Sequence, residues 1–121
     1  MWSFRYIKKK MRYSVSLRKN EEFKEVYKNG RYAVEKDLIL HVKKNELGIN
    51  RIGISVSKKT GNSVVRHRIK RLVKEVYRLN EEKFSCGYDL VFSARKDTKD
   101  CTYLSIESVI FRLMKRTGVL K

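Results

Sequence analysis

The sequence contains no proline, and its 121 residues include only two cysteines, two histidines and one tryptophan. Without proline or a low-complexity stretch, there is no sign of a tether between modules, which favours one continuous domain. Cys86 and Cys101 form no Cys-x-x-Cys pair and the histidines lie far apart, so the patterns of a structural zinc site are missing. We therefore expect no metal bound by the chain itself and no function for the two thiols.

Long apolar runs are also missing from the sequence. No stretch approaches the roughly 20 residues of a membrane-spanning helix, and the first residues place apolar side chains before charged ones, unlike a secretory signal. We expect a soluble, cytoplasmic protein that does not bind membranes. Met11 is a second possible start beside Met1, and the sequence does not distinguish between them.

Acidic residues are scarce, with 13 Asp and Glu against 30 Lys and Arg, and the net charge is +17. Residues 1–31 have ten basic and three acidic groups, and residues 58–78 have eight basic groups against Glu75 alone, so each segment has a net charge of +7. Ordinary surfaces mix both signs. This concentration of positive charge favours binding to a nucleic acid over a merely solvated surface.

The apolar pattern predicts the element order αβββαβα. A first helix is expected from about Glu21 to Asn29, where Asn20 can cap the N-terminus and Gly30 can supply a left-handed stop. A last helix begins after Thr102, which is a suitable cap. The expected strands cover residues 32–34, 37–43, 51–57 and 88–94. The second and third of these strands are expected to be antiparallel neighbours.

The second helix is the longest and the most basic. Its apolar residues recur at helical spacing and form one stripe of Val65, Ile69, Leu72, Val73 and Val76. The opposite arc is filled by Arg66, Arg68, Lys70, Arg71, Lys74 and Arg78. We expect the apolar face to dock on the sheet and the basic face to meet phosphate groups.

The segment from Arg51 to Arg78, RIGISVSKKTGNSVVRHRIKRLVKEVYR, resembles the signature of the ribonuclease P protein family, in which a glycine- and lysine-rich turn leads into an Arg-Asn-Arg helix. The resemblance extends to LRKNEEFKEVYKNGR at residues 17–31, to GYDLVFSARK at residues 87–96 and to the last helix. It implies one family domain at residues 17–121, preceded by a basic extension at residues 1–16 that is expected to be flexible.

The fold that the resemblance implies belongs to the α+β class. It is a single-domain, two-layer α/β sandwich with a mixed four-stranded sheet, similar to a domain of a small-subunit ribosomal protein. The family has a left-handed βαβ crossover, whereas the general rule for parallel strands would favour a right-handed one. We follow the family.

The function that the resemblance implies is that of the RNA-binding subunit of ribonuclease P. The RNA subunit, with Mg²⁺ bound mainly by that RNA, removes the 5′ leader of precursor tRNA, and the protein assists without catalytic residues of its own. No small-molecule substrate is implied, and the protein alone is expected to be monomeric. The alternatives are a ribosomal or other structural RNA-binding protein, a protein-only ribonuclease using His41 or His67, and a nonspecific DNA-binding protein.

Two groups of site residues follow from the resemblance. The residues expected to bind the catalytic RNA and its phosphates are Lys58, Lys59, Asn62, Arg66, His67, Arg68, Lys70, Arg71 and Lys74. His67 stands where the family usually has Asn, and a neutral His offers one donor and one acceptor in a larger ring. A cleft for the leader is implied at Phe23 and Tyr27, and Arg31, just beyond the first helix, would extend it. From spacing alone, the two rings are better explained by core packing.

Overall fold

Five strands form one mixed sheet in the computed structural model, which describes residues 14–121 with the exception of the side chains of residues 97 and 99. The strands are β1 (Ser14–Ser16), β2 (Arg31–Val34), β3 (Leu38–Lys44), β4 (Asn50–Ser55) and β5 (Tyr88–Ala94). Their spatial order is β1-β4-β5-β3-β2. The first three strands in this order are parallel, whereas β3 runs antiparallel to both β5 and β2.

The described residues form three α-helices, which are α1 (Asn20–Asn29), α2 (Ser63–Asn80) and α3 (Tyr103–Arg116). Helices α2 and α3 share the main core with one face of the sheet, where Leu90 and Phe92 of β5 are buried. Val91 points to the other face, because side chains alternate along a strand, and it packs there in a small cluster with Val26 of α1. Helix α1 therefore covers part of the face opposite to α2 and α3.

The predicted helices and strands are all present, and β1 is an additional strand. Residues 14–16 lie in the expected basic extension, outside the segments that carry the family resemblance. Their position is fixed by pairing with β4 and by a hydrogen bond of 2.7 Å between the Ser14 and Tyr77 hydroxyls. Asn50 also donates to the Tyr77 oxygen at 3.0 Å. The rest of the expected extension, residues 1–13, lies outside the described residues.

The expectation that residues 37–43 and 51–57 form neighbouring antiparallel strands is wrong. β5 lies between β3 and β4, antiparallel to the first and parallel to the second. Its consecutive buried residues Leu90, Val91 and Phe92 are typical of a central strand covered on both faces. The parallel neighbours β4 and β5 are joined by a crossover through α2, and the left hand of that crossover stays a prediction of the resemblance.

Gly30 ends α1, but not in the left-handed conformation that the sequence suggested. Its φ is −88° and its backbone is extended. A Cβ at this position would lie 2.5 Å from the carbonyl oxygen of Val26 and 2.6 Å from that of Val42. The glycine is needed because the end of the helix passes close to the backbone of β3.

Replacing Gly30 with Ala is expected to lower the free energy of unfolding by about 1 to 3 kcal/mol, as overpacking usually does. Both atoms that the new methyl group meets belong to the backbone, so no side chain can rotate away. Chemical denaturation measures the effect, and Asn29→Ala at the exposed neighbouring position is the control. Wild-type stability of Gly30→Ala would show that the end of α1 can shift without cost.

Candidate nucleic-acid interface

The turn before α2 brings cations to the N-terminus of that helix. Residues Lys58–Thr60 form a 3₁₀ turn in which Lys58 and Lys59 are exposed. The Asn62 side chain accepts a hydrogen bond of 3.0 Å from the Val65 backbone N–H and caps the helix. Cationic side chains and the positive end of the helix dipole therefore favour an anion at the same place.

The two faces of α2 differ as the sequence predicts. Ile69, Val73 and Val76 are fully buried, while Val65 and Leu72 are half-buried against the same core. The exposed residues of the helix include His67, Arg68, Lys70, Arg71 and Lys74. On this helix the carboxylate of Glu75 pairs with Arg78 at 3.1 Å and leaves the rest of the face strongly positive.

Two of the arginines on α2 are not simple surface cations. Arg68 donates from Nη2 to the backbone oxygen of Cys101 at 2.6 Å, which ties α2 to the segment before α3. Arg66 is half-buried and lines a shallow depression with Ser63 and Lys70. Its Nε is buried and has no hydrogen-bond partner among the described residues. Arg68 thus has a structural role as well as a charge, and Arg66 retains an unused donor.

A cleft of about 330 Å³ opens beside β4, beyond the point where β1 ends. Leu17, Ile52 and Phe23 supply apolar surface, and Lys70 with the neighbouring cations of α2 forms the other wall. The Phe23 ring lies against Gly53, since a Cβ on that glycine would come within 2.5 Å of the ring. Aromatic and basic walls therefore face each other across one groove.

A second depression, of about 400 Å³, continues along α1. It is lined by Phe23, Lys24 and Tyr27 on the helix and by Lys70 on the opposite side. Tyr27 is 41% exposed, and its hydroxyl lies 3.4 Å from Ser93 Oγ. The structure thus brings Phe23, Tyr27 and Lys70, predicted for two separate sites, to one groove.

The ring of His41 lies beside Tyr27 and the ring of Tyr32 lies beside His41, although the sequence predicts neither for this region. The His41 ring is 4.8 Å from the Tyr27 ring and 5.5 Å from the Tyr32 ring. Burial lowers the pKa of His41. Tyr32 is 66% exposed and pairs with His41 across β2 and β3. The alternation of buried residues in β3 could have placed His41 on the α1 face, but only the strand register brings Tyr32 to it.

Arg31 does not lie in the cleft. Its Nε and Nη2 donate to the backbone oxygen of Thr117 at 3.0 and 2.5 Å, at the C-terminal end of α3. Arg31 is paired with Val42, whose side chain points into the main core, so it shares the α3 face of the sheet. The structure therefore separates Arg31 from Phe23 and Tyr27.

Residues 14–121 contain neither a cluster of potential metal ligands nor a helix suited to cross a membrane. In this part of the chain, no group of three or more His, Cys, Asp or Glu side chains is arranged to hold a metal ion. None of its helices combines the length and the apolar character needed to cross a membrane.

Comparison with known proteins identifies the family of the chain that carries this groove and basic helix. A family model described as ribonuclease P matches residues 11–118. The chain belongs to the ribonuclease P protein family. The match begins at residue 11, within the expected basic extension.

Individual members of the ribonuclease P protein family agree with this assignment. The ribonuclease P protein component of Clostridium botulinum (strain Langeland) is 50% identical over 104 residues, covering 85% of this chain and 94% of that protein. The RNase P protein of Staphylococcus aureus has a TM-score of 0.81 at 32% identity, over 88% of this chain and 97% of that one. A mutant of the S. aureus protein, described as defective in mRNA degradation activity, has a TM-score of 0.80 at 31% identity, over 87% and 89% of the two chains.

Family membership establishes the general role of the chain. It is the protein subunit of ribonuclease P, and it acts in tRNA processing together with an RNA subunit. The holoenzyme is an endoribonuclease in which the RNA subunit carries out catalysis.

Proposed function

We propose that the chain uses two connected surfaces in the removal of the 5′ leader. The turn before α2 and the basic face of α2 bind the RNA subunit, and the groove between α1 and α2 receives the leader of precursor tRNA. The observation that supports two connected surfaces most is that Lys70 of the basic face also lines, together with Phe23, both depressions of the groove. A stacking ring opposite a cation is the arrangement that suits a single-stranded nucleic acid.

The surface for the RNA subunit consists of groups that contact phosphate without reading sequence. Exposed Lys and Arg side chains neutralise phosphates and release counterions, which is the main source of affinity for RNA. Asn62 contributes by capping α2 and keeping its first turn in place. The residues proposed for this surface are Lys58, Lys59, Asn62, Arg66, His67, Arg68, Lys70, Arg71 and Lys74.

The leader groove would distinguish substrate from product, because mature tRNA has no leader to place in it. Phe23 offers a ring that lies against Gly53, and Tyr27 offers a more exposed one. Stacking on such rings contributes about 1 to 3 kcal/mol per base and tolerates any sequence. Arg31 is not included, because its guanidinium binds Thr117 on the other side of the sheet.

We propose that Mg²⁺ is bound mainly by the RNA subunit. The residues described offer no cluster of ligands for a metal ion. The protein would instead lower the Mg²⁺ requirement by screening repulsion between the phosphates of the two RNAs. We further propose that the protein alone is a monomer and that the holoenzyme acts in the cytoplasm on precursor tRNA.

The basic face of α2 is tested by Lys74→Ala. Lys74 is exposed on this face, and its loss should weaken RNA-subunit binding by about 1 kcal/mol and reduce the slope of log affinity against log salt by about 0.7 to 0.9. Lys115→Ala removes the same charge from the exposed side of α3 and is the matched control. Lys74 is preferred to Arg68, whose replacement would also remove the bond to Cys101. Equal effects of the two lysine variants would place the RNA subunit elsewhere.

A further inference from the structure

A chain of charged groups joins the first turn of α1 to the centre of the sheet. One oxygen of the Glu22 carboxylate accepts hydrogen bonds from the backbone N–H groups of Arg18 and Lys19 at 3.2 and 3.1 Å. Its other oxygen accepts from Arg51 Nη1 of β4 at 2.6 Å. Glu22 thus both caps the helix, in which Lys19 rather than the expected Asn20 is the N-cap, and anchors it to a strand.

Arg51 is held firmly from its other side. Its Nε and Nη2 donate to the two oxygens of Asp89 on β5, at 2.7 and 2.6 Å. Asp89 is 3% exposed and accepts a further bond of 2.9 Å from Asn45. A forked, bidentate contact of this kind fixes the orientation of a guanidinium. The bond from Arg51 therefore ties the position of Glu22 to β4 and β5.

Helix α1 and strand β4 are also in contact at Phe23, the residue of the helix that follows Glu22. Arg51 and Gly53 are two residues apart on β4 and so point to the same face of the sheet, towards α1. Glu22 contacts the first of them, and the ring of Phe23 lies against the second. Any rotation or shift of α1 that broke the contact between Glu22 and Arg51 would also move the Phe23 ring in the groove.

We propose that Glu22, Arg51 and Asp89 are positioning residues that hold α1, and through it the Phe23 ring, in the geometry that accepts the leader. This inference rests on the proposed leader groove. None of the three side chains needs to touch RNA for this role, since they contact one another, Asn45 and the backbone just before α1. A loss of position at a stacking site lowers affinity for the leader alone, whereas a loss of charge acts on every RNA.

Two variants release α1 in different ways. Glu22→Gln keeps an oxygen that can accept from the backbone of α1 but removes the ion pair with Arg51. Arg51→Lys keeps a cation for Asp89 but loses the fork that reaches both carboxylates. The control is Glu25→Gln, which makes the same charge change on an exposed residue of α1 that contacts Asn29.

The measurement is the affinity of the reconstituted holoenzyme for precursor tRNA divided by its affinity for mature tRNA. We expect Glu22→Gln and Arg51→Lys to lower this ratio about three- to tenfold, with unchanged affinity for the RNA subunit. Glu25→Gln should leave the ratio as in the wild type. Because Glu22 acts through Phe23, the double variant Glu22→Gln with Phe23→Ala should lower the ratio no further than Phe23→Ala alone.

The results that would contradict the positioning role differ from those that would contradict the leader groove itself. A wild-type ratio in both Glu22→Gln and Arg51→Lys, together with a reduced ratio in Phe23→Ala, would remove the positioning role and keep the groove. A wild-type ratio in Phe23→Ala would contradict both the leader groove and the positioning role. Additive losses in the double variant would mean that Glu22 acts independently of the ring. Arg51→Lys decides the matter if Glu22→Gln does not fold.

Discussion

Without the RNA subunit, the purified chain is expected to leave precursor tRNA uncleaved, and adding that RNA at low Mg²⁺ is expected to produce the mature 5′ end. Cleavage by the protein would require a positioned acid and base or a metal site. His41 packs between Tyr27 and Tyr32, and His67 lies among the cations of α2. Within residues 14–121, neither histidine is hydrogen-bonded to a carboxylate that could orient it for proton transfer.

The assay follows the 5′ end of the product, so that cleavage at the leader junction is distinguished from general degradation. His67→Ala and His41→Ala are the informative variants. Cleavage at the junction by the RNA-free wild type, lost in either variant, would assign the chemistry to the chain. An unstructured mRNA fragment serves as a second substrate, because the S. aureus protein with a related structure is described in terms of mRNA degradation. Activity on that fragment alone would indicate a separate function.

Helix α2 illustrates what the sequence predicts well. Its apolar stripe repeats at helical spacing from Val65 to Val76, within a helix of 18 residues. This periodicity depends on neighbours in the chain, so it can be recognised without knowledge of the tertiary structure. The basic face follows directly, since whatever does not dock on the core must face solvent or a partner.

The order of the strands in the sheet, in contrast, depends on contacts between residues that are far apart in the sequence. β5 lies 33 residues after β4 in the chain and still takes the place between β3 and β4, because its apolar residues can be covered on both faces. Arg31 shows a related limit. It follows α1 immediately in sequence, but the two-residue period of β2 turns its side chain to the α3 face. The position of Arg31 shortly after α1 in the sequence therefore does not place its side chain beside Phe23 and Tyr27.

The cleft depends on contacts that no single segment contains. Gly53 reads as an ordinary strand glycine, and only the approach of Phe23 shows that it supports the ring. The sequence favoured core packing for the two aromatic residues of α1, and for Phe23 that interpretation is partly right. Its ring is half-buried with Leu17, Val26 and Val91 and also forms part of the groove. A residue can thus be part of a small core and of a binding surface.

Tyr27→Ala is expected to weaken holoenzyme binding to precursor tRNA by about 1 to 3 kcal/mol, the value of one lost base stack, while leaving mature tRNA binding unchanged. Phe23→Ala should lose a similar amount of leader affinity. It should also lower the free energy of unfolding by about 1 to 3 kcal/mol, because its half-buried ring leaves a gap in the cluster under α1. Tyr27 is 41% exposed, so its replacement should leave the melting temperature close to that of the wild type.

The two controls for this prediction come from the same groove. Tyr27→Phe keeps the ring and removes only the hydroxyl near Ser93, so it should retain most of the leader affinity. Lys24→Ala removes a cation that lines the groove and should reduce the slope of log affinity against log salt by about 0.7, whereas Tyr27→Ala should leave that slope unchanged. The difference separates stacking from phosphate contact in one set of titrations. Equal losses for precursor and mature tRNA, in a Tyr27→Ala variant that melts like the wild type, would place the leader away from α1.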